Sequence, residues 1–162
     1  MNKQDIIKNF DPSQPGLADE SIFGLPFSAA QSDIIIIPVP WEVTVSYGAG
    51  ASQGPQAILD ASFQVDLHHQ EFPELWKLGM HLDLGEHYNT WMQQSADHKA
   101  MAQPIIEALE KGEAIHNHPL LQQDLAKINA VCHTMKETLR ERVQHWMQQG
   151  KKVVLLGGDH ST

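Results

Sequence analysis

The sequence predicts an α/β fold built on a parallel sheet, and three observations carry that prediction. Residues 33–39 (Asp-Ile-Ile-Ile-Ile-Pro-Val) and 153–157 (Val-Val-Leu-Leu-Gly) contain apolar runs without polar alternation, the pattern of strands covered on both faces. Between them lie long stretches of helix-forming residues with apolar positions recurring every three or four. Each apolar run opens into a segment rich in proline or glycine, as expected where a strand of an open sheet turns into a loop at its carboxyl end.

Taken in order, residues 1–32 read as an N-terminal segment and loop, with two prolines and a glycine in residues 9–16 joining it to a body that starts at Asp33. The first strand occupies residues 33–39, and Pro38 and Pro40 are expected to end its hydrogen-bonding ladder. Gly48, Gly50 and Gly54 make a flexible loop before Pro55, which suits the first turn of a helix running to about Phe63. A second strand is predicted within residues 76–84, where Leu78, Met80, Leu82 and Leu84 alternate with Gly79, His81 and Asp83 to give one apolar face. Residues 90–111 are helical but interrupted by Pro104, which allows either two short helices or one kinked one. Leu121, Leu125, Ile128, Cys132, Met135, Leu139, Val143 and Trp146 form the stripe of an amphipathic helix over residues 119–149, closed by Gly150. That helix is the crossover to the last strand, and the right-handed crossover rule places the first strand next to the other two.

Bulk properties narrow the function. A length of 162 residues falls in the range of one domain. The formal charge of −9, with 20 acidic against 11 basic residues, argues against a nucleic-acid partner, which needs clustered cations. The single cysteine, Cys132, excludes an internal disulfide, suits a reducing cytoplasm and lies in the apolar stripe, which predicts a packing role. The N-terminus has no apolar signal region, and the most apolar stretch, residues 34–41, is far shorter than the ~20 residues a membrane span needs, so a soluble cytoplasmic protein with no membrane partner is expected.

The chemistry concentrates at Gly157-Gly158-Asp159-His160-Ser161, directly after the last strand. Paired glycines let the backbone turn sharply, His160 can offer a neutral imidazole to a divalent metal, and Asp159 can orient the loop or supply nearby negative charge. A phosphate-binding turn is the competing reading, but the segment lacks both the G-x-G-x-x-G pattern and a P-loop lysine. His68, His69, His116 and His118 have no carboxylate or cysteine companions at ligand spacing and read as surface or loop residues. His81, His133 and His145 read as satisfied structural residues.

Gly157 to Ser161, read after an apolar strand, resembles the first metal-binding motif of the arginase/agmatinase ureohydrolase family, which includes the formimidoylglutamases. Three further segments agree in order and spacing: residues 33–41 with the first strand and loop, residues 47–59 (Tyr-Gly-Ala-Gly-Ala-Ser-Gln-Gly-Pro-Gln-Ala-Ile-Leu) with its "GxxxGPxAI" turn into a helix, and Leu82-Asp83-Leu84-Gly85 with the "DLG" end of its second strand. The resemblance covers residues 33–162 and implies the N-terminal part of an arginase-like three-layer sandwich on a parallel sheet. It also implies a small guanidino or formimino substrate, hydrolysed with release of urea or formamide by a hydroxide shared between two Mn²⁺ ions. His160 would be one metal ligand, with Gly157, Gly158, Asp159 and Ser161 shaping its loop, and Tyr47, Gly48 and Gly50 would lie at the active-site rim.

The family takes its other ligands from a later Asp-Ala-His-x-Asp motif and an Asp-x-Asp segment, and neither is in this sequence. The expectation is therefore an N-terminal part that alone is inactive, does not retain manganese, and self-associates through the edge of its incomplete sheet. Two other classes are weighed beside it: a non-catalytic interaction or assembly module keeping the first half of the fold, and an unrelated doubly wound ligand-binding domain.

Overall fold

A computed structural model describes residues 2–14, 21–45 and 48–161. Its helices and strands run α1 (Lys3–Asn9), β1 (Ile34–Val39), α2 (Gly54–Ser62), β2 (Met80–Leu82), α3 (His87–Glu110), α4 (Pro119–Gln148) and β3 (Lys152–Gly157), with short 3-10 turns between several of them. The three strands form one parallel sheet in the order β2-β1-β3, so β1 is central, whereas β3, whose apolar run was read as covered on both faces, ends the order with Val154 and Leu155 exposed. Ile35, Ile36, Ile37 and Val39 are all buried, which means that both faces of β1 are covered.

The ladder explains the unusual end of β1. Ile34, Ile35 and Ile36 stand opposite Met80, His81 and Leu82, and the Asp83 N–H donates to the Ile36 carbonyl at 2.8 Å. Pairing with β2 stops there, so Pro38, which has no N–H, lies beyond that ladder. The strand itself continues through Pro38 to Val39, the end expected of it.

The second strand is shorter than its alternation suggested. Leu75–Leu78 form a 3-10 turn, and only Met80–Leu82 are extended. The break is Gly79, whose φ of 68° is in the left-handed region and whose Cβ, if it had one, would lie 3.0 Å from the Phe27 ring. Reversing the backbone here destroys the period of two. Leu82 is consequently buried, whereas Leu78 and Leu84 are exposed and the single apolar face is not formed.

The chain divides into two compact units. Unit 1 comprises Met1–Pro38, Pro55–Leu84 and Val143–Leu156. Within it Ile6, Leu25, Phe27 and Trp76 form one apolar cluster and Ile22, Ile36 and Leu82 another. Ile6 comes from α1, a helix that the sequence reading left as an undefined segment; a reciprocal capping box between Asn2 and Asp5 starts it. His81 lies within hydrogen-bonding reach of Ser21 Oγ (3.4 Å) and the Phe27 carbonyl (3.3 Å), the structural role expected of it. Asp83 accepts a 2.8 Å hydrogen bond from Trp146 Nε1, so the carboxylate of the Leu-Asp-Leu-Gly segment orients the end of α4.

Unit 2 comprises Val39–Gly54, Gly85–Arg142 and Gly157–Thr162. Its buried residues include Trp41, Val43, Tyr88, Trp91, Ile105, Ile128, Met135 and Leu139. The last three are the centre of the predicted stripe, each stabilising by about 1.5–3 kcal/mol on burial. Pro104 sits inside α3 without dividing it, which decides between the two readings of that region in favour of one helix. At the end of α4, Gly150 (φ 76°) donates to the Met147 carbonyl and Lys151 N–H to the Trp146 carbonyl, the paired bonds of a Schellman cap.

Candidate functional site

All the candidate site residues belong to unit 2, which takes up the chain after Pro38 in β1 and after Leu156 in β3. Beyond Val39 the chain folds tightly, the Trp41 N–H returning to the Val39 carbonyl at 2.8 Å across Pro40. Trp41 is buried, and its backbone is the seat for the turn that follows β3. Its carbonyl accepts a 2.8 Å hydrogen bond from the Asp159 N–H. Gly158 lies so close that a Cβ there would overlap the Trp41 carbonyl oxygen and stand 2.7 Å from its nitrogen. The second glycine of the pair is therefore dictated by backbone contact, the close-approach use of glycine.

Asp159 then closes the turn locally. Its Oδ1 accepts the Ser161 N–H at 2.9 Å and a short hydrogen bond from the Ser161 hydroxyl, an arrangement typical of an aspartate initiating a turn. His160 between them is exposed. Cys132 of α4 lies near the same turn: burial pushes its thiol above the usual value, a hydrogen bond with Trp41 works against that rise, and the Asp159 charge adds to it. A thiol held protonated in this way is a packing group rather than a nucleophile.

The residue after Trp41 was missed by the sequence reading. Glu42 is only 6% exposed, yet it is ionised and fully engaged. Its Oε2 accepts the N–H groups of Gly50 (2.8 Å) and Ser52 (3.1 Å), and its Oε1 pairs with Lys99 Nζ of α3 at 2.6 Å. The Glu42 N–H donates to Ser95 Oγ, also on α3, at 2.9 Å. Burial by itself would favour the neutral acid; the Lys99 hydrogen bond, the two backbone amides and the Lys99 charge outweigh it and lower the carboxyl to about 2. One signal was available in the sequence: Glu42 is the only charged residue in positions 34–59.

Glu42 thus anchors the glycine loop assigned to the rim. Gly48 and Gly50 have φ of 71° and 124°, both exposed, with open space around their Cα atoms, so these glycines serve conformation rather than close packing. Tyr47, the third rim residue, lies outside the described residues. Where the loop enters α2, a Cβ on Gly54 would be in ordinary contact, 3.7 Å, with the Gly157 carbonyl, which brings the loop's end beside the end of β3. A pocket of about 460 Å³ adjoins this framework, lined among others by Glu42, Ser52, Met92, Ser95 and Lys99.

The described residues do not fit a two-metal centre. Among them no three histidine, cysteine, aspartate or glutamate side chains converge on a common point, so His160 belongs to no such group. His68, His69, His116 and His118 likewise join no such group. Among the described residues no helix is long and apolar enough to cross a membrane.

A profile described as the Arginase family matches residues 32–162, most of the chain. The chain belongs to the arginase family. It is similar to the N(1)-aminopropylagmatine ureohydrolase of Synechocystis, 28% identical over 134 residues that make up 83% of this chain and 33% of that protein. The protein of the same name from Thermus thermophilus is 28% identical over 131 residues, 81% of this chain and 32% of its own length. The chain therefore spans about a third of the length of the curated relatives it matches. No solved structure gives a significant match. Within the family, the parallel three-stranded sheet with its helices corresponds to part of an arginase-like fold.

Proposed function

We propose that this chain carries the first part of the catalytic domain of a manganese-dependent ureohydrolase acting on a guanidino substrate of the agmatine class, with formimino compounds as the related alternative. The observation that carries the reading is the family match over residues 32–162, which runs through the turn bearing His160 at the carboxyl end of β3. In an open α/β sheet that end is where ligands bind. The names of both relatives, which describe ureohydrolases of an agmatine derivative, favour guanidino over formimino chemistry.

In this reading His160 is one manganese ligand, Asp159 and Ser161 hold its turn, and Gly157 and Gly158 let the turn reach the Trp41 backbone. Tyr47, Gly48 and Gly50 form the rim. One imidazole cannot organise two ions, so the 162 residues alone are inactive and the remaining ligands are supplied by segments other than these. We further assign residues 1–32 as an accessory N-terminal segment, residues 33–162 as part of the catalytic domain, the cytoplasm as the location and a homo-oligomer as the assembly.

The test is product release by the full-length protein with Mn²⁺ across arginine, agmatine, N(1)-aminopropylagmatine and formimidoylglutamate. Urea from an agmatine-type substrate, lost on chelation and in His160→Ala, is the expected result. A folded full-length protein with no turnover on any of them would favour the non-catalytic assembly reading instead.

A further inference from the structure

We propose that the Trp41-Glu42 dipeptide is the positioning element of this site, setting the glycine loop and the His160 turn in register from two consecutive residues. The two halves of the device use different atoms. The Trp41 backbone seats the turn, through its carbonyl on the Asp159 N–H and through a contact that admits only glycine at 158. The Glu42 side chain seats the loop, through one carboxylate oxygen shared by the Gly50 and Ser52 N–H groups. Both halves are held from α3: Ser95 Oγ fixes the Glu42 backbone and Lys99 Nζ the other carboxylate oxygen.

The chemistry favours a carboxylate here over any neutral group. Gly48 and Gly50 adopt positive φ values that glycine reaches without strain, and glycine has the most backbone entropy to lose on ordering. A charge-assisted acceptor bridging two amides restrains the loop at its base. Glutamate also reaches that point from a backbone pinned by Ser95, which a glutamate on a free loop would not do. Lys99 supplies the counter-charge that makes burial of the carboxylate tolerable.

The anchoring is independent of what the protein hydrolyses, whereas the effect on substrate rests on the ureohydrolase reading. Residue-resolved amide hydrogen exchange on the 162-residue chain separates the two halves. Glu42→Ala accelerates exchange at Gly50 and Ser52 about tenfold or more, with the Asp159 amide and the β1 amides close to wild type. Glu42→Gln, which keeps one acceptor oxygen but not the charge, restores part of the protection. Ser95→Ala, which frees the dipeptide backbone, accelerates Asp159 as well.

Exchange at Gly50 and Ser52 unchanged in Glu42→Ala, or accelerated no more than in β1, overturns the proposal; so does Ser95→Ala with Asp159 unaffected. Should Glu42→Ala not fold, the comparison of Glu42→Gln with wild type decides. In the full-length protein Glu42→Gln raises KM about fivefold for the guanidino substrate while kcat stays within about twofold, the signature of a displaced binding loop rather than a damaged fold. Absence of turnover in the wild-type full-length protein would sink the ureohydrolase reading and leave the exchange result standing.

Discussion

Replacing Gly158 by alanine should be among the most damaging single-methyl additions in unit 2. The added Cβ would overlap the Trp41 carbonyl oxygen, 2.7 Å from the Trp41 nitrogen and 2.8 Å from its carbonyl carbon, all backbone atoms that no rotamer change can move aside. Trp41 cannot retreat, because it is buried and tied back to Val39. The turn must therefore lift away, which breaks the 2.8 Å bond from Asp159 to Trp41. Overpacking strain of about 1–3 kcal/mol and a lost hydrogen bond of about 1 kcal/mol give a destabilisation on the order of 2–4 kcal/mol. The same substitution at Gly54 supplies the control: an added Cβ there meets its nearest non-local neighbour at 3.7 Å and faces only the crowding of a right-handed residue before Pro55, so Gly54→Ala should cost clearly less than Gly158→Ala. Urea unfolding followed by tryptophan fluorescence measures both. A Gly158→Ala cost below about 1 kcal/mol, or equal effects at the two glycines, would refute the close-approach argument.

Other outcomes follow from the same features. Glu42, held at about 2 when folded against an ordinary value of 4.5, contributes stability that is fully present above pH 4.5 and is lost as the pH falls towards 2. The loss should reach at most ~3 kcal/mol and flatten in Glu42→Gln, and an acid-unfolding midpoint identical in the two proteins would contradict it. Strand β3 ends the sheet order with Val154 47% and Leu155 43% exposed, so the chain should self-associate at high concentration. Val154→Lys should shift sedimentation towards monomer, whereas a wild-type monomer throughout a concentration series would count against an adhesive edge. Cys132, its thiol raised by burial, should react with a soluble disulfide reagent at neutral pH at least about tenfold more slowly than free cysteine, and rapid modification of the folded chain would exclude the packing role.

The sequence was legible where one physical demand acted alone. Four consecutive β-branched isoleucines running into Pro38 read as a strand, and the spacing of Ile128, Met135 and Leu139 reads as a helix packed on one side. It misled where conformation at one residue overrode a pattern: Gly79 turns the chain with φ 68° and cuts the alternating run around it to the three residues of β2. The Gly-Gly-Asp-His-Ser turn could be located, since a glycine pair after an apolar run has few uses, but the partner that forces Gly158 to be glycine lies over a hundred residues earlier at Trp41. Glu42 was hidden for a related reason. Its partners at 50, 52, 95 and 99 form no local motif, so only the three-dimensional arrangement turns a lone acidic residue into an anchor.

The central claim, that the β3 turn delivers one ligand of a manganese ureohydrolase, is tested most directly by the metal content of the purified full-length protein, wild type beside His160→Ala, with urea release measured on the same samples. The account predicts two manganese ions per wild-type chain, loss of one or both in His160→Ala together with most of the activity, and no stoichiometric manganese on the 162-residue chain. A His160→Ala protein that keeps both ions and its rate, or a 162-residue chain that retains manganese through gel filtration and turns over substrate, would contradict it.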